Sequence, residues 1–108
     1  MAKYAIFFTL KGDTVKAMID RPSNREAVVS ELVSGVGGVL ESYYWMFGRF
    51  DGFVIIDAPD SVSAAAVSLA VSSTNAFGHL ETQELIPAAE INHVLETAKN
   101  LRYFPPGG

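Results

Sequence analysis

The stretch Phe47-Gly48-Arg49-Phe50-Asp51-Gly52-Phe53-Val54-Ile55-Ile56-Asp57-Ala58-Pro59-Asp60 constrains the fold more than any other part of the chain. Two glycines bracket a turn, an apolar run of strand length follows, and Pro59 stops it. Asp60-Ser61 then supplies a helix start, with Asp60 as the cap. A turn, a buried strand (residues 53–58) and a helix are thereby fixed in order.

The same reading extends in both directions. Residues 4–10 are apolar and aromatic on both faces, the pattern of a central strand covered on two sides. After Gly12-Asp13, residues 14–20 form a short helix that Arg21-Pro22 interrupts. Ser23-Asn24-Arg25-Glu26 fits a capping box with Ser23 as N-cap, and Val28, Val29, Leu32, Val33 and Val36 follow at helical spacing. That helix ends at Gly35 or Gly37-Gly38. Residues 39–47 form the second strand, with Val39, Glu41, Tyr43, Trp45 and Phe47 on one face and Leu40, Ser42, Tyr44 and Met46 on the other. Residues 62–71 form an alanine-rich helix; Ala64, Ala65, Ala66 and Ala70 make it thin enough to lie close on a sheet. Residues 77–85 are a more polar edge strand. A last helix starts at Pro87 and runs to about Arg102, with Ile91, Val94, Leu95, Ala98 and Leu101 as its apolar stripe.

The order βαββαβ plus a terminal helix is α+β. Two crossovers of fixed hand put both main helices on one face of a four-stranded antiparallel sheet, the ferredoxin-like arrangement. With 108 residues the chain is one domain, expected over residues 1–103 with a flexible tail at 104–108. Hydrophobic residues make up 49% and charged residues 19%, which is apolar for so small a domain. The uncovered sheet face needs a cover, and a second copy of the chain supplies one. Burying about 600 Å² of apolar surface is worth on the order of 15 kcal/mol before association costs. A homodimer or a higher homo-oligomer is the expectation.

Net charge is −4 and the eight basic residues form no run, which argues against nucleic acid. Cysteine is absent, so there are no disulfides or thiolate metal sites. No apolar run reaches the roughly 20 residues needed to cross a bilayer, and no targeting segment is visible. The chain therefore reads as a cytoplasmic protein without membrane partners.

Candidate site residues come from four places. Tyr43 and Trp45 share a strand face and can line a pocket for a flat hydrophobic molecule, or serve as core. Asp51 either acts as a general base or shapes its glycine-flanked turn. His79 and Glu81 share a strand face, where a carboxylate-held imidazole can move protons; a metal would need a third ligand that the sequence does not offer, so no metal is expected. Arg25 and Arg49 either clamp an anion or are solvated surface charges. There is no phosphate loop and no nucleophile elbow, and no cofactor is expected.

The chain resembles the GYD-domain proteins, small bacterial and archaeal members of the dimeric α/β-barrel superfamily. The resemblance runs through residues 3–98. It rests on Gly48-Arg49-Phe50-Asp51 with the hydrophobic strand and Ala58-Pro59-Asp60 behind it, on the proline and arginine of residues 14–25, and on Gly37-Gly38. Phe50 stands where the family motif carries tyrosine, so a phenol proton donor is missing there. The resemblance implies the fold and a dimer, and no activity. Related barrels include monooxygenases, isomerases and ligand-sensing modules. The functional expectation is a homodimer that binds a small hydrophobic or aromatic molecule through Tyr43, Trp45, Asp51, His79 and Glu81, with cofactor-free isomerase or oxygenase chemistry as its catalytic form. The alternative is a non-catalytic assembly or sensing module.

Overall fold

A computed structural model describes residues 1–107; of the expected tail, Gly108 lies outside the described residues. The elements are β1 (Ala2–Leu10), α1 (Gly12–Asp20), α2 (Arg25–Ser34), β2 (Val39–Trp45), β3 (Gly52–Ala58), α3 (Ser61–Ser72), β4 (Phe77–Glu84), a 3₁₀ turn (Ala88–Glu90) and α4 (Ile91–Lys99). The strands form one antiparallel sheet in the order β2-β3-β1-β4. This is the ferredoxin-like fold that the element order implies. The strand with apolar residues on both faces, β1, sits between β3 and β4, and the polar strand β4 is an edge.

Register assigns the faces. Tyr4, Ile6 and Phe8 of β1 and Val54, Ile56 and Ala58 of β3 point to the helices and are buried with Val33, Ala64 and Val67. Glycine is required where Phe8 crosses β3: a Cβ on Gly52 would stand 2.6 Å from Phe8 Cζ. At the end of α2, Gly37 takes φ +77° and turns the chain into β2.

Four expectations need correction. Asn24, not Ser23, caps α2: its side chain accepts from Ala27 N–H at 3.1 Å. The simple alternation along β2 fails because the register shifts between Leu40 and Ser42. Glu41 is the extra residue of this bulge, and its carboxylate accepts from Lys3 Nζ at 2.6 Å. Leu40 opposes Ile56 and Tyr43 opposes Val54, so Leu40, Tyr43 and Trp45 share the helix side. In α3 only Ala64 and Val67 are buried; Ala65 and Ala66 are exposed, and Ala70 borders the open space between helix and sheet. The cap Asp60 is as expected, accepting from Ser63 N–H at 2.8 Å.

The fourth correction concerns the last helix, which is a 3₁₀ turn followed by nine residues of α-helix rather than one helix to Arg102. It is also unpacked: every residue from 86 to 107 is exposed. The radius of gyration is 17.3 Å, against about 13 Å for a compact chain of this length. The apolar stripe of α4 is real, but it points at nothing in its own chain.

Candidate functional site

A cleft with a volume of about 570 Å³, open to solvent on one side, lies between the sheet and the helices. Its floor is the helix-facing side of β1, β2 and β3. Its walls are α1, α2 and α3, held apart where Arg21-Pro22 breaks the α1–α2 run. Phe8 is the hub of an aromatic cluster at the floor. Its ring meets Tyr43, Trp45 and Phe77 edge-on, at centroid distances of 6.1, 5.8 and 5.6 Å. Val28, Val29 and Leu32 of α2 face the same space.

Residues with polar side-chain atoms are few in the lining: Thr14, Ser23, Thr74, Tyr43, Trp45 and two arginines, the partly buried Arg25 and the exposed Arg21. Among the described residues that line the cleft, none is a carboxylate, a lysine or a histidine. Burial pushes the Tyr43 phenol above its ordinary value, and the positive charge of Arg25 works against that rise.

The other face of the sheet has no helices. An aromatic row crosses it: Tyr44 stacks on Phe53 at 5.5 Å, Phe53 on Phe7 at 5.4 Å, Phe7 meets Phe50 at 5.4 Å, and Phe50 lies 6.4 Å from the His79 ring. Tyr44 is 59% exposed. Four residues along β1 from Phe7, Lys3 bridges Glu41 and Asp57, at 2.6 and 3.0 Å. The hydrogen bonds to Glu41 and then Asp57 raise the Lys3 pKa.

The five candidate residues therefore do not form one site. Tyr43 and Trp45 line the cleft on the helix side. His79 and Glu81 lie on the open face, joined by a 3.0 Å contact in which both side chains remain partly exposed. They face away from Phe77 because β4 slips by one residue at Gly78, turning Phe77 into the core and His79 out. Asp51 is a clasp at the turn. Its Oδ2 accepts from Leu10 N–H at 2.7 Å, its own N–H donates to the Phe8 carbonyl at 2.9 Å, and its carbonyl accepts from Met46 N–H at 2.9 Å. Arg25 faces the cleft, whereas Arg49 sits over the Phe50 ring at 5.7 Å. Arg21 is the lining charge that the sequence pattern did not single out. Its signal was a second arginine four residues before Arg25, across a proline.

Among the described residues, no group of three His, Cys, Asp or Glu is placed to hold a metal ion, and no helix is long and apolar enough to cross a membrane.

Solved structures similar to the chain include the following two. One is an uncharacterized NIPSNAP domain protein from Burkholderia xenovorans, 15% identical, covering 82% of this chain and 96% of that chain at a TM-score of 0.46. The other is MupZ from Pseudomonas fluorescens, 15% identical, covering 99% of this chain and 97% of that chain at a TM-score of 0.43. No curated protein matches the chain. The model of the GYD domain matches residues 4–95, the whole of the sheet and its covering helices, and the chain belongs to the GYD-domain family.

Proposed function

We propose that this protein binds a small apolar molecule in the cleft between the sheet and helices α1, α2 and α3, and does so as a homodimer paired through its open sheet face. The cleft carries the reading. The cleft is open to solvent on one side, yet its walls are mainly apolar side chains, which gain about 25 cal/mol for each Å² of apolar surface that an occupant removes from water. Filled with water, it would hold molecules with few polar partners, since Phe8, Tyr43, Trp45, Val28 and Leu32 dominate its lining. An apolar occupant is the economical solution, and the volume falls in the ordinary range for small-ligand sites.

Pairing is supported by the aromatic row on the open face and by the bare stripe of α4. Ile91, Val94 and Leu95 are 44%, 40% and 59% exposed. A nine-residue helix is marginal on its own in water and gains most of its stability by packing an apolar face. The same surfaces favour the second reading, a non-catalytic assembly module. Isomerase or oxygenase chemistry commonly uses a base within reach of the substrate; no histidine or carboxylate lines the cleft, and burial holds its one phenol, Tyr43, in the protonated form. This favours binding over catalysis.

Two measurements test the proposal. Native mass spectrometry of the purified protein is expected to find a dimer carrying one small molecule per chain. Sedimentation at falling concentration is expected to keep that dimer intact. A ligand-free dimer that takes up no apolar compound would leave only the assembly reading; a stable monomer would overturn the pairing.

A further inference from the structure

We propose that the cleft selects a monocarboxylic acid with an apolar body, its carboxylate held by Arg21 and Arg25 and its body lying against Phe8, Tyr43 and Trp45. This rests on the binding reading above and adds the headgroup. The protein is acidic, with twelve carboxylate side chains against eight basic ones. Among the described residues that line the apolar cleft, the charged ones are nevertheless two arginines, Arg25 partly buried and Arg21 exposed at the rim. Ion pairs among the described residues use Lys3, Lys16 and His79; neither Arg21 nor Arg25 enters one. Both guanidinium groups are therefore available to an anion seated at the cleft, which would gain charge-assisted hydrogen bonds from them.

The form of the cations narrows the anion. A guanidinium presents a planar fork that matches a carboxylate with two parallel hydrogen bonds. Arg21 follows the end of α1 and Arg25 opens α2, with Pro22 restricting the short link between them, so both residues border the same side of the cleft. Phosphate sites usually add free backbone N–H groups at a helix start. Here the Asn24 side chain already accepts from the Ala27 N–H of α2. The effect of Arg25 on the Tyr43 phenol agrees with a guanidinium close to the aromatic floor, so head and body of one short amphiphile can be held together.

The chain has a single tryptophan, Trp45, in the cleft lining, so its emission reports occupancy directly. Sodium decanoate and decanol, titrated separately below their aggregation limits, differ only at the head. Decanoate is expected to bind about tenfold more tightly, the gain of a charge-assisted hydrogen-bonded pair. The double variant Arg21→Gln with Arg25→Gln is expected to lose that preference while its decanol affinity stays unchanged, which also shows that it is folded. Arg49→Gln is expected to keep the preference. Equal binding of both probes to the unmodified protein, or a preference that survives the double variant, would overturn the headgroup assignment and leave the apolar site standing. Failure of both probes to bind would overturn the cleft as a site altogether.

Discussion

Phe7 and Phe8 are neighbours in β1, yet they belong to two different surfaces. Phe8 is 4% exposed and anchors the aromatic cluster beneath the cleft. Phe7 is half-buried in the row that crosses the open face, stacked on Phe53 and tilted against Phe50. One face spends its rings on packing three helices over a hollow. The other arranges them side by side, with nothing above. A two-residue period thus separates a ring packed under the helices from a ring on the open face, which is the face proposed for pairing. The candidate groups divide with it: the arginines belong to the helix side, the histidine and its glutamate to the open side.

The largest effect follows from that contrast. Phe8→Ala is expected to cost about 3–5 kcal/mol, the loss for deleting a packed core ring. Thermal melting should record a drop in Tm of more than about 12 °C. Phe7→Ala is expected to lower Tm far less and to weaken self-association in sedimentation at low concentration. Equal melting losses, with association untouched in both variants, would mean that the open face is an extension of the core rather than an interface.

The turn at Asp51 gives the next largest. Asp51→Ala leaves the Leu10 N–H without its 2.7 Å acceptor in a partly buried position, a loss of about 1–3 kcal/mol. Asp51→Asn keeps a carbonyl oxygen at the same place and should recover most of the stability in denaturant titration. A neutral Asp51→Ala melt combined with lost decanol binding would instead make Asp51 part of the ligand site.

The elements most legible in the sequence are those decided by one segment alone. The apolar run of β1 announced a central strand, and β1 does lie between β3 and β4, although only its helix-facing side is covered within the chain. Asp60 announced a cap because the carboxylate and the Ser63 N–H it meets are local. Features that depend on a partner strand were hidden. The bulges at Glu41 and Gly78 exist only as mismatches in pairing, and each reassigns a face: Leu40 joins Tyr43 and Trp45, and Phe77 parts from His79. The amphipathic pattern of α4 told that a stripe wants burial, but carried no information on which surface would bury it. The cleft was least legible of all. Its volume comes from how far three helices stand off the sheet, and Arg21 enters it only through that geometry.

A smaller effect tests the separation of the faces directly. His79→Ala removes an exposed pair with Glu81, and exposed pairs contribute about 0–1 kcal/mol. Its melt should stay within about 0.5 kcal/mol of the unmodified protein, and decanoate binding should not change, because the sheet lies between His79 and the cleft. Lost decanoate affinity would break the assignment of the site to the helix side.

The smallest effects appear only at the ends of the pH scale, where Asp60 and Lys3 have opposite signs and the helix-side Tyr4 and Tyr43, both raised by burial, share the sign of Lys3. On the helix side, hydrogen bonds from Ser63 hold the Asp60 carboxyl below its ordinary value of 3.8. Folding therefore favours the ionised form, so this contribution is present above pH 3.8 and fades as pH falls through the lowered value. On the open face, hydrogen bonds to Glu41 and then Asp57 raise Lys3 above 10.5. Folding there favours the protonated form, so the contribution is present below pH 10.5 and fades as pH rises through the raised value. Asp60→Asn keeps a capping oxygen and should flatten only the acid limb of a stability–pH curve. Lys3→Met should flatten only the alkaline limb, where Tyr43, raised by burial, leaves a residual slope. Denaturant midpoints across both limbs separate the two, and a variant that altered the opposite limb would show the two faces to be energetically coupled through the sheet.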